Sequence, residues 1–283
     1  MNENSPSLTV KQWLSHATRL LSDVGIPSAT LDAELLLSHT LREPRIWIHA
    51  HPEAELDTRT QEIARARLDL RLDRVPVAYI IGHKDFYGHA FRVTTATLIP
   101  RPESESIIEL LQKNLTTNKS FPADSSLRLV DVGTGSGNLG ITAKLLIPEL
   151  DVTLIDESRY ALAVAEKNAR LLHADVDTLQ SNLLNEYPHV ADVILANLPY
   201  VDPSWERSPE TSHEPAEALF AKDNGLALIR TLIKQTDGKL SKSGTLILEA
   251  DPTQHDAIKK EASAYGLICA EIEGYALLFE KLR

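Results

Sequence analysis

Leu129-Val-Asp131-Val-Gly133-Thr-Gly135-Ser-Gly137-Asn-Leu-Gly140 is the stretch on which the fold turns. It opens as an apolar strand, meets glycines at alternate positions and runs on into a helical segment. Glycines in such a place let the chain turn sharply and let a ligand approach the backbone, while the next helix starts with free N–H groups. The combination points to a nucleotide-type cofactor. It leaves the kind open, because Gly135, Gly137 and Gly140 also satisfy the dinucleotide G-x-G-x-x-G spacing. Asp156 ends the next strand-like run about 20 residues on, where a carboxylate can accept hydrogen bonds from ribose hydroxyls.

Outward from this loop, short apolar runs at 127–132, 152–155, 193–196 and 245–248 alternate with helical stretches near 139–146, 159–172 and 222–234. Such alternation implies an α/β fold, a mostly parallel sheet with helices on both faces. Runs at 268–272 and 275–279, joined at Gly274, suit an antiparallel ending.

The third strand, 191–196, leads into Asn197-Leu-Pro-Tyr200. Ligands of open α/β sheets sit outside the carboxyl ends of the strands, so this tetrapeptide belongs beside the cofactor. A nicotinamide enzyme has no use for it, whereas a methyltransferase acting on a planar NH₂ group does. The lone pair of an amide or exocyclic amine is tied up in resonance, so that nitrogen attacks poorly. Acceptors aimed at both N–H bonds hold it in line and favour the developing charge. The Asn197 side-chain oxygen supplies one acceptor and a backbone carbonyl the other, with Tyr200 as an aromatic wall.

The amino-terminal part reads as helices. Val10, Trp13, Leu14, Ala17, Leu20 and Leu21 keep helical spacing, with Thr9 as N-cap and Gly25 as a stop. A second helix over 28–41 puts Leu31, Leu35 and Leu36 on one face. A third over 58–72 has Ile63, Leu68 and Leu72 inside and Arg65, Arg67 and Arg71 outside. Aromatic and β-branched residues around Gly88, from Asp85 to Val93, signal a hairpin. Leu98-Ile-Pro-Arg-Pro-Glu103 is a stiff connector, either a hinge or a strap closing over a site.

Composition narrows the function. The chain has 283 residues, 43% hydrophobic and 24% charged, enough for one large domain and a small one. The polar residues 1–7 lack a secretory profile, and no run approaches the roughly 18 apolar residues of a membrane span. One cysteine, Cys269, excludes an internal disulfide and fits a reducing compartment, so the expected location is the cytoplasm. No His, Cys and carboxylate cluster shows metal-ligand spacing. A net charge of −11 speaks against a nucleic-acid partner, which usually meets a basic field. It suits a basic protein partner better.

Together these residues resemble the peptide chain release factor glutamine N5-methyltransferases, over nearly the whole chain. The resemblance rests on the amino-terminal helices, Pro76-Val-Ala-Tyr-Ile-Ile-Gly82, Phe86-Tyr-Gly88 and Leu98 to Glu103. It extends through Asp131 to Gly137, Asp156, Ala161-Leu162, Asn168-Ala169, the tetrapeptide, Glu214-Pro215, Ala218-Leu219 and Leu248-Glu249. It implies a Rossmann-like class I methyltransferase domain with a mostly parallel seven-stranded sheet over 103–283. A helical bundle at 1–80 that recognises the substrate protein precedes it, with a hairpin and Pro-rich connector at 81–102. It implies S-adenosylmethionine as cofactor, held by Asp131, Gly133, Thr134, Gly135, Ser136, Gly137, Asp156, Asn182, Leu183 and Asn197. Asn197, Leu198, Pro199 and Tyr200 would bind the glutamine amide of a Gly-Gly-Gln loop, with Asn197 and Tyr200 catalytic. Leu198 stands where the family usually has proline, and Asn182 where it usually has aspartate. Asn-Leu-Pro-Tyr also resembles the tetrapeptide of rRNA adenine dimethylases. An adenine-N6 methyltransferase of RNA or DNA, or a cofactor-binding protein without transfer activity, therefore stays open at this point.

Overall fold

The computed structural model describes residues 8–117 and 126–282, so the polar residues 1–7 lie outside the described residues. The chain forms two compact units, one of residues 1–82 with 208–213 and the other of 83–207 with 214–283.

The first unit is helical: α1 (Val10–Asp23), α2 (Ala29–Leu41), α3 (Arg45–Ala50), α4 (Thr58–Leu72) and α5 (Val77–Ile81). Thr9 caps α1 through a reciprocal box. Its hydroxyl accepts from Gln12 N at 3.3 Å, and the Gln12 side chain accepts from Thr9 N at 2.9 Å. Gly25, at φ +73°, ends that helix in a conformation glycine adopts without steric cost. Trp13, Leu21, Leu36, Leu37 and Leu68 form the core.

Three positions depart from expectation here. Leu31 and Ile63 are exposed, while Arg71, expected outside, is 4% exposed. Arg71 Nε donates to Asp32 Oδ2 at 2.7 Å, and its Nη2 donates to Glu210 Oε1 at 3.0 Å. A buried charge is tolerable when it is paired and hydrogen-bonded, and this pairing turns the Asp32 side of α2 inward. For Glu210, burial alone would raise the carboxyl pKa. Ser208, the Glu210 backbone N–H and the Arg71 and Arg74 guanidiniums together bring it down to about 2.

The second unit is built on a seven-stranded sheet. Its strands are β1 (Arg128–Val132), β2 (Asp151–Asp156), β3 (Asp177–Gln180), β4 (Ala191–Ala196), β5 (Leu240–Glu249), β6 (Leu267–Glu273) and β7 (Ala276–Lys281). The spatial order is β6-β7-β5-β4-β1-β2-β3. The first five strands run parallel, and β7 pairs antiparallel with both β5 and β6. Alternate residues feed two cores: Val130, Val132, Ile194 and Leu248 lie on one face, and Leu129, Val193, Leu195 and Ile247 on the other. This is why the strands read as continuous apolar runs, being covered on both faces. The covering helices include α6 (Glu105–Thr117), α7 (Asn138–Leu146), α8 (Arg159–Leu172), α10 (Ala227–Lys239) and α11 (His255–Ala264), with a four-residue helix α9 (Ala216–Leu219) before α10.

The helix expected from 222 begins only at Ala227. Asp223, Asn224 and Gly225 have φ of +61°, +53° and +82°, which no right-handed helix accommodates. Strand β3 leaves no apolar run in the sequence because Asp177-Thr-Leu-Gln180 lies at the edge of the sheet. Ahead of the sheet, strands His83–Phe86 and His89–Arg92 form the expected hairpin. Tyr87 and Gly88 turn it with φ of +49° and +79°, and Phe86 packs edge-on against Phe91. Among the described residues no helix is long and apolar enough to cross a membrane.

Candidate active site

The glycine loop leaves β1 and is held from three sides. Gly133, Gly135 and Gly137 have φ of +71°, +55° and +82°. The Gly133 and Thr134 amides donate to the Ile155 carbonyl of β2 at 2.8 and 2.9 Å. Asp131 braces the loop from inside: its Oδ2 accepts from Thr134 Oγ1 at 2.6 Å and from Gly140 N at 2.9 Å. Among the described residues its Oδ1 has no hydrogen-bond partner, and burial pushes the carboxyl pKa up to about 6. Asn168, fully buried on α8, donates to the Ser136 and Arg92 carbonyls and accepts from Arg92 N. One amide thus fastens the hairpin to the loop.

Above the loop lies a cleft of about 1000 Å³, its open mouth included. Gly133, Thr134, Gly135 and Ser136 line its floor, and Asp156, Asn182 and Leu183 line one wall. A Cβ added to Gly135 would meet no protein atom within 4 Å, so the loop leaves room against its backbone. Asp156 Oδ2 accepts from Gly135 N and Oδ1 from Ser158 N, each at 2.9 Å. Each carboxylate oxygen keeps a lone pair for a further donor. Burial raises the Asp156 pKa, and the Ser158, Gly135 and Glu157 amides oppose that rise. The site therefore fits a nucleoside-bearing cofactor: backbone below, an acceptor carboxylate beside it and Leu183 as an apolar flank.

The tetrapeptide supplies the opposite wall with Asn197, Leu198 and Pro199. Among the described residues, no group donates to Asn197 Oδ1 or to the Leu198 carbonyl. Three residues expected at the ligand lie outside the lining. Asp131 and Gly137 shape the loop from behind, and the Tyr200 hydroxyl turns away to donate to Glu249 Oε1 at 3.0 Å. Burial, then the Glu249 charge, pushes the Tyr200 pKa far up, so the phenol stays a donor. Leu198 offers more than a backbone: its side chain is buried, and a Cβ on Gly133 would lie 2.8 Å from Leu198 Cδ2.

The supports of this wall were not singled out in the sequence. Gln254 Nε2 donates to the Tyr200 carbonyl at 2.9 Å and the Asn224 carbonyl at 2.8 Å. Gly225 passes so close that a Cβ there would come 1.9 Å from the Tyr200 oxygen. The proline connector also lines the cleft, through Leu98, Ile99, Pro100 and Arg101. Buried Glu214 anchors it, accepting from Ile99 N at 3.1 Å and pairing with Arg101. Glu214, Asn168 and Glu249 belong to stretches that carry the resemblance; Gln254 carries only the local signal of a capping box with Asp251, which does not disclose its reach to Tyr200.

Comparison with known proteins agrees with this geometry. Residues 12–82 match the family described as PrmC N-terminal domain, and residues 107–271 match the Methyltransferase small domain. The release factor glutamine methyltransferase of Coxiella burnetii is 33% identical over 92% of this chain and 92% of its own length. That of Enterococcus faecalis is 36% identical over 77% of each. A methyltransferase from Pyrococcus furiosus shares the fold, with a TM-score of 0.51 at 16% identity, covering 76% of this chain and all of that one. By its full-length likeness to these relatives, the chain belongs to the release factor glutamine methyltransferase family.

Proposed function

We propose that this chain transfers a methyl group from S-adenosylmethionine to the side-chain amide nitrogen of a glutamine in a peptide chain release factor. The observation that carries the reading is the pair of open acceptors, Asn197 Oδ1 and the Leu198 carbonyl, in a cleft floored by the glycine loop. When bound, the cofactor supplies an electrophilic methyl group on a positively charged sulfur. Gly133 to Ser136 and Asp156 hold it, Asp156 through the lone pairs left on its two oxygens. Asn182 and Leu183 flank its base.

The two acceptors take the N–H bonds of the glutamine amide. They fix the direction of its nitrogen and favour the positive charge that develops there. Pro199 stiffens the turn, and Tyr200 anchors it on Glu249. Asp131 and Gly137 act on the cofactor by shaping the loop. The helical unit contributes recognition of the protein substrate, and a translation factor as substrate sets the reaction in the cytoplasm.

The test is transfer of label from methyl-labelled S-adenosylmethionine to a purified release factor, with ribosomal RNA in a parallel reaction. Label on the release factor that disappears when its Gly-Gly-Gln glutamine is replaced is the expected result. Label on RNA alone would overturn the reading.

A further inference from the structure

Asn197 can serve as an acceptor only if its amide faces the cleft oxygen-first. The two ends of an asparagine amide have nearly the same shape and opposite hydrogen-bonding character. Presented nitrogen-first, Asn197 would set N–H against N–H. Something behind it must decide the orientation.

Beside it are two side chains from distant parts of the chain, and one of them, Ser104, also lines the cleft. Asn197 Nδ2 donates to Ser104 Oγ at 2.9 Å. Ser104 ends the single turn Pro102–Ser104 in which the proline connector finishes, and it is 1% exposed. Glu249 closes β5 and is also 1% exposed. An ionised carboxylate accepts and never donates. The Tyr200 hydroxyl occupies its Oε1, while among the described residues Oε2 has no hydrogen-bond partner. Burial raises the Glu249 pKa, and the neighbouring Ser104, Tyr200 and Asn197 side chains oppose that rise.

A serine hydroxyl has one proton. Accepting from Asn197 Nδ2, Ser104 offers that amide a lone pair and keeps its own proton for another acceptor, which the buried Glu249 carboxylate provides. Both groups beside the amide are then acceptors, and Nδ2 faces Ser104. Oδ1 is left for the cleft, where no described residue donates to it.

We infer that Ser104 and Glu249 are positioning residues for the methyl transfer, a polar chain that fixes the Asn197 amide with its oxygen toward the substrate nitrogen. The inference rests on the proposed role of Asn197 as acceptor. It also gives the proline connector a part in the reaction, since the connector delivers Ser104 to the tetrapeptide.

Three single variants of the full-length protein test it, Ser104→Ala, Glu249→Gln and Asn197→Ala, together with the double variant Ser104→Ala/Asn197→Ala. Glu249→Gln keeps shape but adds a donor, which allows the Ser104 proton to turn toward Asn197. Ser104→Ala and Glu249→Gln are each expected to lower kcat on a release factor about tenfold or more, a fraction of the loss on removing a whole aimed group. Dissociation of S-adenosylmethionine, followed by calorimetry, should stay within about twofold. Because Ser104 acts through Asn197, the double variant should be no slower than Asn197→Ala. If Asn197→Ala is slow while Ser104→Ala and Glu249→Gln match wild type, the positioning chain is wrong and the acceptor role stands. A loss from Ser104→Ala that is undiminished in the Asn197→Ala background would also overturn the chain. A wild-type rate for Asn197→Ala would remove the acceptor role itself.

Discussion

A planar amide nitrogen is a poor nucleophile, and the burden of activating it falls on few atoms. Asn197 Oδ1 acts on the reacting nitrogen and contributes little to holding the cofactor. Interactions used mainly in the transition state appear in turnover more than in ground-state binding. Asn197→Ala should therefore lose about 100-fold in kcat, with the cofactor dissociation constant nearly unchanged. Steady-state assay and calorimetry together check this. Leu198 is the departure from the usual family residue, and its side chain is buried against Gly133. Leu198→Pro keeps the acceptor carbonyl and removes that packing. We expect a rate within about threefold of wild type and a stability loss of about 1–3 kcal/mol from the shortened buried side chain. An RNA-directed enzyme that used Leu198 to grip a flipped base would instead lose its activity on RNA.

At the scale of elements, the site depends on one buried amide that joins three of them. Asn168 on α8 holds Ser136 of the glycine loop and both backbone groups of Arg92 in the hairpin, over 2.8 to 3.0 Å. Asn168→Ala would leave the buried Ser136 carbonyl and the half-buried Arg92 groups unpaired, at about 1–3 kcal/mol for each one that water fails to reach. The expected outcome is a fall of about 2–4 kcal/mol in unfolding free energy, read from urea titration, accompanied by weaker cofactor binding. The coupling of the two losses is the informative part. A stability loss with unchanged cofactor affinity would show that the loop keeps its shape without this tie.

Two expectations belong to the whole molecule. The first is linkage through Asp131. Its pKa is raised to about 6 in the folded chain against 3.8 for an ordinary aspartate. Between those values the folded state holds a proton that the unfolded state has released, so stability falls as pH rises through this window. At about 1.4 kcal/mol per unit the full effect is about 3 kcal/mol. Asp131→Asn cannot titrate. The wild-type minus variant difference in unfolding free energy should therefore decline from about pH 4 to about pH 6 and be level above pH 7. The second concerns the helical unit, which takes in Ser208–His213 from the chain that continues beyond Tyr200. A chain beginning near residue 83 leaves Glu210 without Arg71 and Arg74. It should bind S-adenosylmethionine normally and methylate a release factor at least tenfold more slowly. Equal rates would confine residues 1–82 to stability.

The parallel sheet, the glycine loop and the tetrapeptide were legible in the sequence because each is specified locally. Doubly covered strands are apolar throughout, left-handed turns call for glycine, and a helix face repeats every 3.6 residues. What the sequence determined by itself is therefore the α/β domain, its cofactor loop and the position of Asn197 at a strand end. The tertiary structure alone decided which charged and polar side chains lie inside. Arg71 turned inward because Asp32 and Glu210 meet it, from 39 and 139 positions away. Ser104 reaches Asn197 across 93 positions, and Gln254 reaches Tyr200 across 54. Pairing of this kind leaves no periodic trace along the chain, since a buried polar group is specified by its partner and the partner can come from any element. For the same reason the tetrapeptide could be read from its own four residues, while the groups that orient it became visible only in the folded molecule.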